Sequence, residues 1–251
     1  MQNKSEFKEL LNQECGKFYF YFYNQGLFSL PIKESIKARF LYLCTYACYG
    51  DTGLYICHKN NNKRMKKEDV IKLLRLSERE AKSTIKTLLD INLLSQDRES
   101  LLVNKQFAYR GELSKAMEKK DHTRMFNDGI RELYENCSVT QHKQLYYLFM
   151  LLPYVNKKFN AICANPDEKQ PEDVIPLKLS DICERVGYNP KNSGRFKNEM
   201  YKLKVFGQYA IKGIEGEKGM WFKINPRISY AGTEDHQKEL EELLFADFII
   251  N

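Results

Sequence analysis

The chain has 251 residues, is 43% hydrophobic and carries a formal net charge of +7, which allows one large domain or two of about 100 residues each around a sizeable core. No stretch reaches the roughly 18 uninterrupted apolar residues of a membrane span, and the opening MQNKSEFKEL has no apolar centre of a secretory signal, so a cytoplasmic protein with no membrane partner is expected. Seven cysteines (15, 44, 48, 57, 137, 163 and 183) are scattered through apolar segments. This distribution suits reduced core thiols, because a disulfide framework or a zinc site shows tighter pairing.

In chain order, FYFYFY (18 to 23) is read as a strand or amphipathic segment packed on the core in preference to a base-stacking platform, since nothing basic beyond Lys17 alternates with its rings. An apolar helix follows (ESIKARFLYLCTYACYG), then a short extended run (GLYIC), an amphipathic segment KKEDVIKLLRLS (66 to 77), and a helix opening on Ser77 with Ala81, Ile85, Leu88 and Leu89 turned inward. LLSQDRESLLVNKQF reads as a hairpin, and VNKQFAYRG (103 to 111) returns the chain to the core.

The order then repeats. TQHKQLYYLFMLLPYV and NAICANP supply the apolar helix and the extended run. KLSDICERVGYN (178 to 189) matches KKEDVIKLLRLS position by position, Asp181 with Asp69, Ile182 with Val70, Val186 with Leu74 and Asn189 with Ser77. Asn189-Pro190 is a helix start, with Phe196, Met200 and Leu203 inward, and a glycine-bearing hairpin precedes INPRISYAG (224 to 232), the counterpart of VNKQFAYRG. Four segments are expected: 1–111, an aromatic N-terminal segment and the first unit; 112–136, a connecting helix on Phe126, Ile130, Leu133 and Tyr134; 137–232, the second unit; and 233–251, an acidic amphipathic tail. That tail, with Leu240, Leu243, Leu244, Phe245, Phe248, Ile249 and Ile250, can pack on its own chain or pair two copies into a homodimer.

Charge follows the repeat. Residues 59–86 hold ten Lys/Arg against four acids and 191–227 hold nine against three, whereas 233–251 hold six acids and one Lys. Two basic stretches fit a polyanion met at two places. The outward face of the second helix of each unit carries Arg79, Lys82, Ser83 and Lys86 in one copy and Lys191, Asn192, Arg195 and Lys202 in the other. Such side chains contact phosphates or base edges when a helix enters a major groove; a solvated helix surface is the alternative. Arg98 in the first hairpin, and Lys212 and Lys218 in the second, are candidate minor-groove or phosphate contacts, with a hairpin kept soluble by charge as the alternative. The chain has no phosphate-cradling glycine loop, and its four histidines are isolated, so neither catalysis nor a cofactor is expected.

Helix, helix and hairpin in that order is the winged variant of the helix-turn-helix. In ESIKARFLYL, MKKEDVIKLL, FNDGIRELYEN, PLKLSDICERVGY and INPRISYAG the chain resembles the winged-helix DNA-binding proteins of phages and plasmids of Gram-positive bacteria, including RepL-like initiators. The resemblance spans residues 30 to 232 and implies an α+β, mainly α fold of two tandem winged helices that binds double-stranded DNA in a bacterial host cell. The duplication departs from the single unit common in that circle. A transcription regulator is the leading expectation, with a replication initiator, or a module that binds a host or phage protein, as alternatives.

Overall fold

A computed structural model of the protein describes residues 2–23, 26–48, 53–216 and 219–248. The fold is α+β. The chain opens with α1 (Gln2–Glu14) and β1 (Phe18–Phe22), then α2 (Glu34–Cys44), β2 (Leu54–Tyr55), α3 (Lys67–Leu73), α4 (Glu78–Asp90), the hairpin β3 (Leu94–Asp97) and β4 (Ser100–Val103), and β5 (Ala108–Tyr109). It continues through α5 (Lys115–Glu118), β6 (His122–Phe126), α6 (Asn127–Asn136), α7 (His142–Met150), α8 (Leu179–Arg185) and α9 (Ser193–Met200). The short ribbon β7 (Lys204–Val205) and β8 (Gln208–Tyr209), the hairpin β9 (Ile211–Gly216) and β10 (Gly219–Ile224), β11 (Ser229–Tyr230) and α10 (Gln237–Glu242) complete it.

Matched residues of the repeat make matched contacts. Asp69 and Asp181 each accept a hydrogen bond at Oδ2 from the backbone N–H three residues earlier, Lys66 at 3.1 Å and Lys178 at 3.2 Å, and so start α3 and α8. The turn after each of these helices passes through the left-handed region at corresponding positions, Arg75 (φ 52) and Gly187 (φ 70). Arg75 carries the cost of a side chain there while its Nη2 reaches Glu135 Oε2 at 2.8 Å. Ser77 Oγ accepts from Glu80 N, and Asn189 Oδ1 from Lys191 N; the second cap opens a 3-10 turn, Pro190–Asn192, before α9 begins.

The similarity of VNKQFAYRG to INPRISYAG has a structural cause. Asn104 Oδ1 accepts from Gln106 N at 2.9 Å and Asn225 Oδ1 from Arg227 N at 3.0 Å, each an Asx turn. Their amide groups donate back to Asn92 O and Tyr209 O, in the segment that follows the second helix of the same unit. Beyond these turns lie β5 and β11, the two edges of one four-stranded antiparallel sheet ordered β11-β6-β1-β5.

That sheet corrects the expectation for 112–136. Only α6 is the expected helix; His122–Phe126 is instead a strand along the full length of β1, from Phe18 opposite Phe126 to Phe22 opposite His122. In β6, Thr123 and Met125 alternate with Arg124 and Phe126 across the sheet's two sides, so a five-residue strand precedes the helical spacing. The expected junction is therefore a strand pairing, and FYFYF, left open from sequence between a strand and an amphipathic segment on the core, is a strand.

The sheet separates two apolar clusters. Tyr19, Tyr21 and Met125 join the large core of α2, α4, α6, α7 and α9, which runs through both units. Phe126 and Tyr230 face Phe7 and Leu11 of α1, Cys15 just after it, and Leu240, Leu243, Leu244 and Phe248 of the tail. The tail thus packs on its own chain, and its Phe245 remains half exposed; Ile249 and Ile250 lie outside the described residues. Gly129 in α6 is explained by closeness: a Cβ there would sit 1.9 Å from Arg227 O. Cys48 and Cys57 form a disulfide with Cα atoms 5.8 Å apart, which corrects the reading of all seven cysteines as reduced.

Between the units, the ring of Tyr42 on α2 stacks on Tyr134 of α6 at 3.8 Å, and Tyr134 stacks on His142 of α7 at 4.3 Å. Arg39, buried on α2, donates from Nε to His142 Nδ1 (3.2 Å) and from Nη1 to Thr84 Oγ1 (3.0 Å), while Nη2 pairs with Glu80 Oε1 at 2.7 Å. Burial, and then the Arg39 charge, hold the His142 pKa down at about 4. A neutral ring with its proton on Nε2 fits the acceptor role of Nδ1.

Because the unfolded ring titrates near 6.5, the unfolded chain binds more protons between the two values. This contribution is therefore complete above pH ~6.5 and lost as pH falls toward ~4. Urea unfolding at about pH 7.5 and about pH 5 is expected to show the wild type losing roughly 2 kcal/mol more than His142→Gln over that interval. Equal losses would place the His142 proton uptake outside the folded core.

Candidate nucleic-acid interface

The two outward helix faces are built alike. In α4, Ala81, Thr84, Ile85 and Leu88 are buried, and Arg79, Lys82, Ser83 and Lys86 are exposed along the opposite side. In α9, Phe196 and Met200 are buried, and Lys191, Asn192, Gly194, Arg195, Asn198 and Lys202 are exposed in and around the helix. Counted from the caps Ser77 and Asn189, Arg79 corresponds to Lys191, Lys82 to Gly194, Ser83 to Arg195, Lys86 to Asn198 and Asp90 to Lys202. Apart from the adjacent pairs Lys82–Ser83 and Gly194–Arg195, each series steps by three or four residues and so lies along one face.

Each helix is anchored behind its stripe by different chemistry. Arg39 ties α4 to α2 through Glu80 and Thr84. For α9 the tie is aromatic: Phe196 lies 5.1 Å from Tyr188 and 5.9 Å from Tyr147 of α7. A buried guanidinium and a ring cluster both fix rotation about the helix axis, which decides the side chains that face outward.

The stripes keep their charge available. Lys82 pairs with Glu78 one turn away, and Arg195 Nε with Glu199 at 2.9 Å; exposed pairs of this kind contribute about 0.3–0.5 kcal/mol and are easily exchanged for another anion. Among the described residues no carboxylate pairs with Arg79, Lys86, Lys191 or Lys202. Asn192 caps α9 without a side-chain bond of its own to the helix.

The hairpins differ. Arg98 (φ 53) is exposed at the β3–β4 tip, where Gln96 Nε2 donates to its carbonyl at 2.7 Å. The acids beside it are engaged elsewhere, Asp97 with Tyr55 Oη (2.6 Å) and Glu99 with Lys66 (2.9 Å). In the second hairpin Lys212 is half-buried and engaged within the chain, which sets it apart from the exposed cations expected there. Lys218 lies outside the described residues.

Sequence reasoning passed over Gly194 and Asn198, although the alignment to Lys82 and Lys86 places both on the stripe. Elsewhere, burial pushes the thiols of Cys15 and Cys137 up to about 12 and that of Cys163 to about 11, so they stay protonated as core groups. Among the described residues no group of three or more His, Cys, Asp and Glu side chains is placed to hold a metal ion, and no helix is long and apolar enough to cross a membrane. Comparisons with protein-family models, curated proteins and solved structures find no match.

Gly194 stands on the exposed side of α9 with open space where a Cβ would lie. Nothing inside the chain requires it, and glycine costs a helix about 1 kcal/mol relative to alanine. Gly194→Ala is therefore expected to raise stability by roughly 0.5–1 kcal/mol in chemical unfolding; a loss would show that α9 needs the glycine for its own packing.

Proposed function

We propose that the chain is a sequence-specific double-stranded DNA-binding protein of two winged-helix units, with α4 and α9 as its recognition helices. The observation that carries this reading is the pair of corresponding cationic stripes, on helices whose other faces are held in the core. A major groove about 12 Å wide admits such a helix. Arg79, Lys86, Lys191 and Lys202 hold phosphates or guanine edges, Asn192 and Asn198 read adenine edges, and Arg98 reaches the backbone beside the groove. Gly194 lets the α9 backbone approach the DNA more closely than a side chain allows.

The role is control of a mobile element's transcription, the bound protein blocking or recruiting polymerase at a promoter. One observation favours a second role, initiation of replication. Both units sit in a single chain on a shared sheet, and the tail is packed inward. One copy therefore occupies a two-part site without a dimer partner, and copies can line up along direct repeats.

Binding to fragments of the surrounding genome across a salt series tests the reading. The expected result is retention of a specific fragment, with log affinity falling steeply against log salt by about 0.9 per phosphate contact. Arg79→Ala with Lys86→Ala, and separately Lys191→Ala with Lys202→Ala, should each flatten that slope by roughly 1–2 without unfolding the chain. Gly194→Ala should weaken binding while stabilising the fold. A footprint over one promoter supports the regulator, and an array of direct repeats the initiator. Unchanged activity in all three variants would point to a protein-binding module.

A further inference from the structure

The register of the four-stranded sheet has an internal two-fold symmetry. β1 and β6 run antiparallel with Phe20 opposite Arg124 at the centre of the ladder, so a half-turn about that pair exchanges the strands and carries Phe20 onto Arg124 and Tyr21 onto Met125. The outer strands follow the same rotation. On β5, Tyr109 and Ala108 lie opposite Phe20 and Tyr21; on β11, Tyr230 and Ser229 lie opposite Arg124 and Met125. Tyr109 therefore exchanges with Tyr230, and Ala108 with Ser229, with no shift along the strands. The same residues are matched in VNKQFAYRG and INPRISYAG, where each Tyr stands five residues after the Asn of its Asx turn. Sequence repeat and strand register thus give one correspondence by independent routes.

An axis that exchanges two antiparallel strands stands normal to their sheet. Tyr19, Tyr21 and Met125 all enter the large core, so both units rise from the same side of that sheet, one on each side of the axis. There α2 and α7, the first apolar helix of each unit, pack against each other, and Arg39 of α2 bonds His142 of α7. The next helices are carried by these two: α4 is held to α2 through Arg39, and α9 to α7 through the contact of Phe196 with Tyr147. Helices α4 and α9 are therefore counterparts across the axis. Duplex DNA has local two-fold axes perpendicular to its length, which exchange its strands and reverse their sense. A protein whose reading helices are exchanged by such an axis matches half-sites exchanged in the same way.

Resting on the DNA-binding reading, we propose that one copy of the chain reads two unlike half-sites in inverted orientation on a single duplex, α4 on one and α9 on the other. The axis through the β1–β6 ladder lies on a two-fold axis of the DNA. The half-sites run in opposite strand sense, with their centres one helical turn of about 10 base pairs, or a multiple of it, apart. They differ in sequence because Gly194, Arg195, Asn198 and Lys202 stand where α4 has Lys82, Ser83, Lys86 and Asp90. The site is therefore not a palindrome, although its geometry is that of one.

Selection of bound duplexes from a random-sequence pool about four helical turns long tests this with the full chain and two variants of it. In one, Lys191→Arg, Gly194→Lys, Arg195→Ser, Asn198→Lys and Lys202→Asp give α9 the stripe of α4. In the other, Arg79→Lys, Lys82→Gly, Ser83→Arg, Lys86→Asn and Asp90→Lys give α4 the stripe of α9. All ten positions are exposed, so neither set of changes enters the core. The wild type should enrich two unlike elements, and each variant a palindrome, the first built of the α4 element and the second of the α9 element. Each variant should bind its palindrome about tenfold or more tighter than the same two elements arranged as a direct repeat, at one duplex per chain. Enrichment of a direct repeat or a single element by the variants, or two duplexes held by one chain, would overturn the inverted arrangement and leave DNA binding in place. A wild type that enriches no site would remove the DNA-binding reading and this inference together.

Discussion

The pairing of β1 with β6 is the constraint on which the rest of the molecule depends. Five residues of one unit lie against five of the other, from Phe18 opposite Phe126 to Phe22 opposite His122, and each unit then returns its own last strand to an outer edge, β5 on β1 and β11 on β6. The two units are therefore halves of one sheet, and neither can rotate without breaking the central ladder. This placement also accounts for the aromatic run. Tyr19 and Tyr21 fill the core beneath α2 and α7 while Phe18 covers Phe126 on the far side, so both faces of β1 are apolar, one buried and the other, with Phe18 and Phe20, partly buried.

The polar contacts at the joint give the coupling a direction. Apolar packing between α2 and α7 would tolerate sliding, whereas Arg39 has to satisfy Glu80, Thr84 and His142 together. Removing any one leaves a buried charge or acceptor short of a partner, which costs more than the bond itself contributes. The network includes Glu80 and Thr84 of α4 and His142 of α7, so the rotation of the first outward stripe is registered against the second unit. In that second unit, Tyr147 of α7 contacts Phe196 of α9. A continuous run of contacts thus links α4 to α9 through α2 and α7.

What was legible in the sequence was what local chemistry dictates. Asp69 and Asp181, Ser77 and Asn189, and Asn104 and Asn225 each bond to backbone within a few residues, so their spacing survives in the chain as a readable pattern. Residues 122–126 were not legible, because Phe126 shares a helical spacing with Ile130, Leu133 and Tyr134 and its strand partner lies about a hundred positions away. The Cys48–Cys57 bond depends on how the segment around β2 folds back, which their separation of nine residues does not state. Helix α1 is a different case: Phe7, Leu11 and Cys15 recur every fourth residue, a readable stripe whose partner, the tail, was read separately. The stripes on α4 and α9 were half legible, with the cations found by type and Gly194 and Asn198 recoverable only through the alignment of the caps.

The differences between the two stripes carry the last step. Along α4 the series is Arg79, Lys82, Ser83, Lys86 and Asp90, three long cations with a hydroxyl and a carboxylate. Along α9 it is Lys191, Gly194, Arg195, Asn198 and Lys202, where a glycine and an asparagine replace two lysines. A glycine lowers the distance of closest approach, and a planar amide bonds well to only some base edges. The second stripe keeps its charge, because Arg195 stands where the first has Ser83 and Lys202 where it has Asp90, so the two stripes differ in where their cations sit. The shared sheet makes the two inseparable and holds α4 and α9 at a fixed distance and angle.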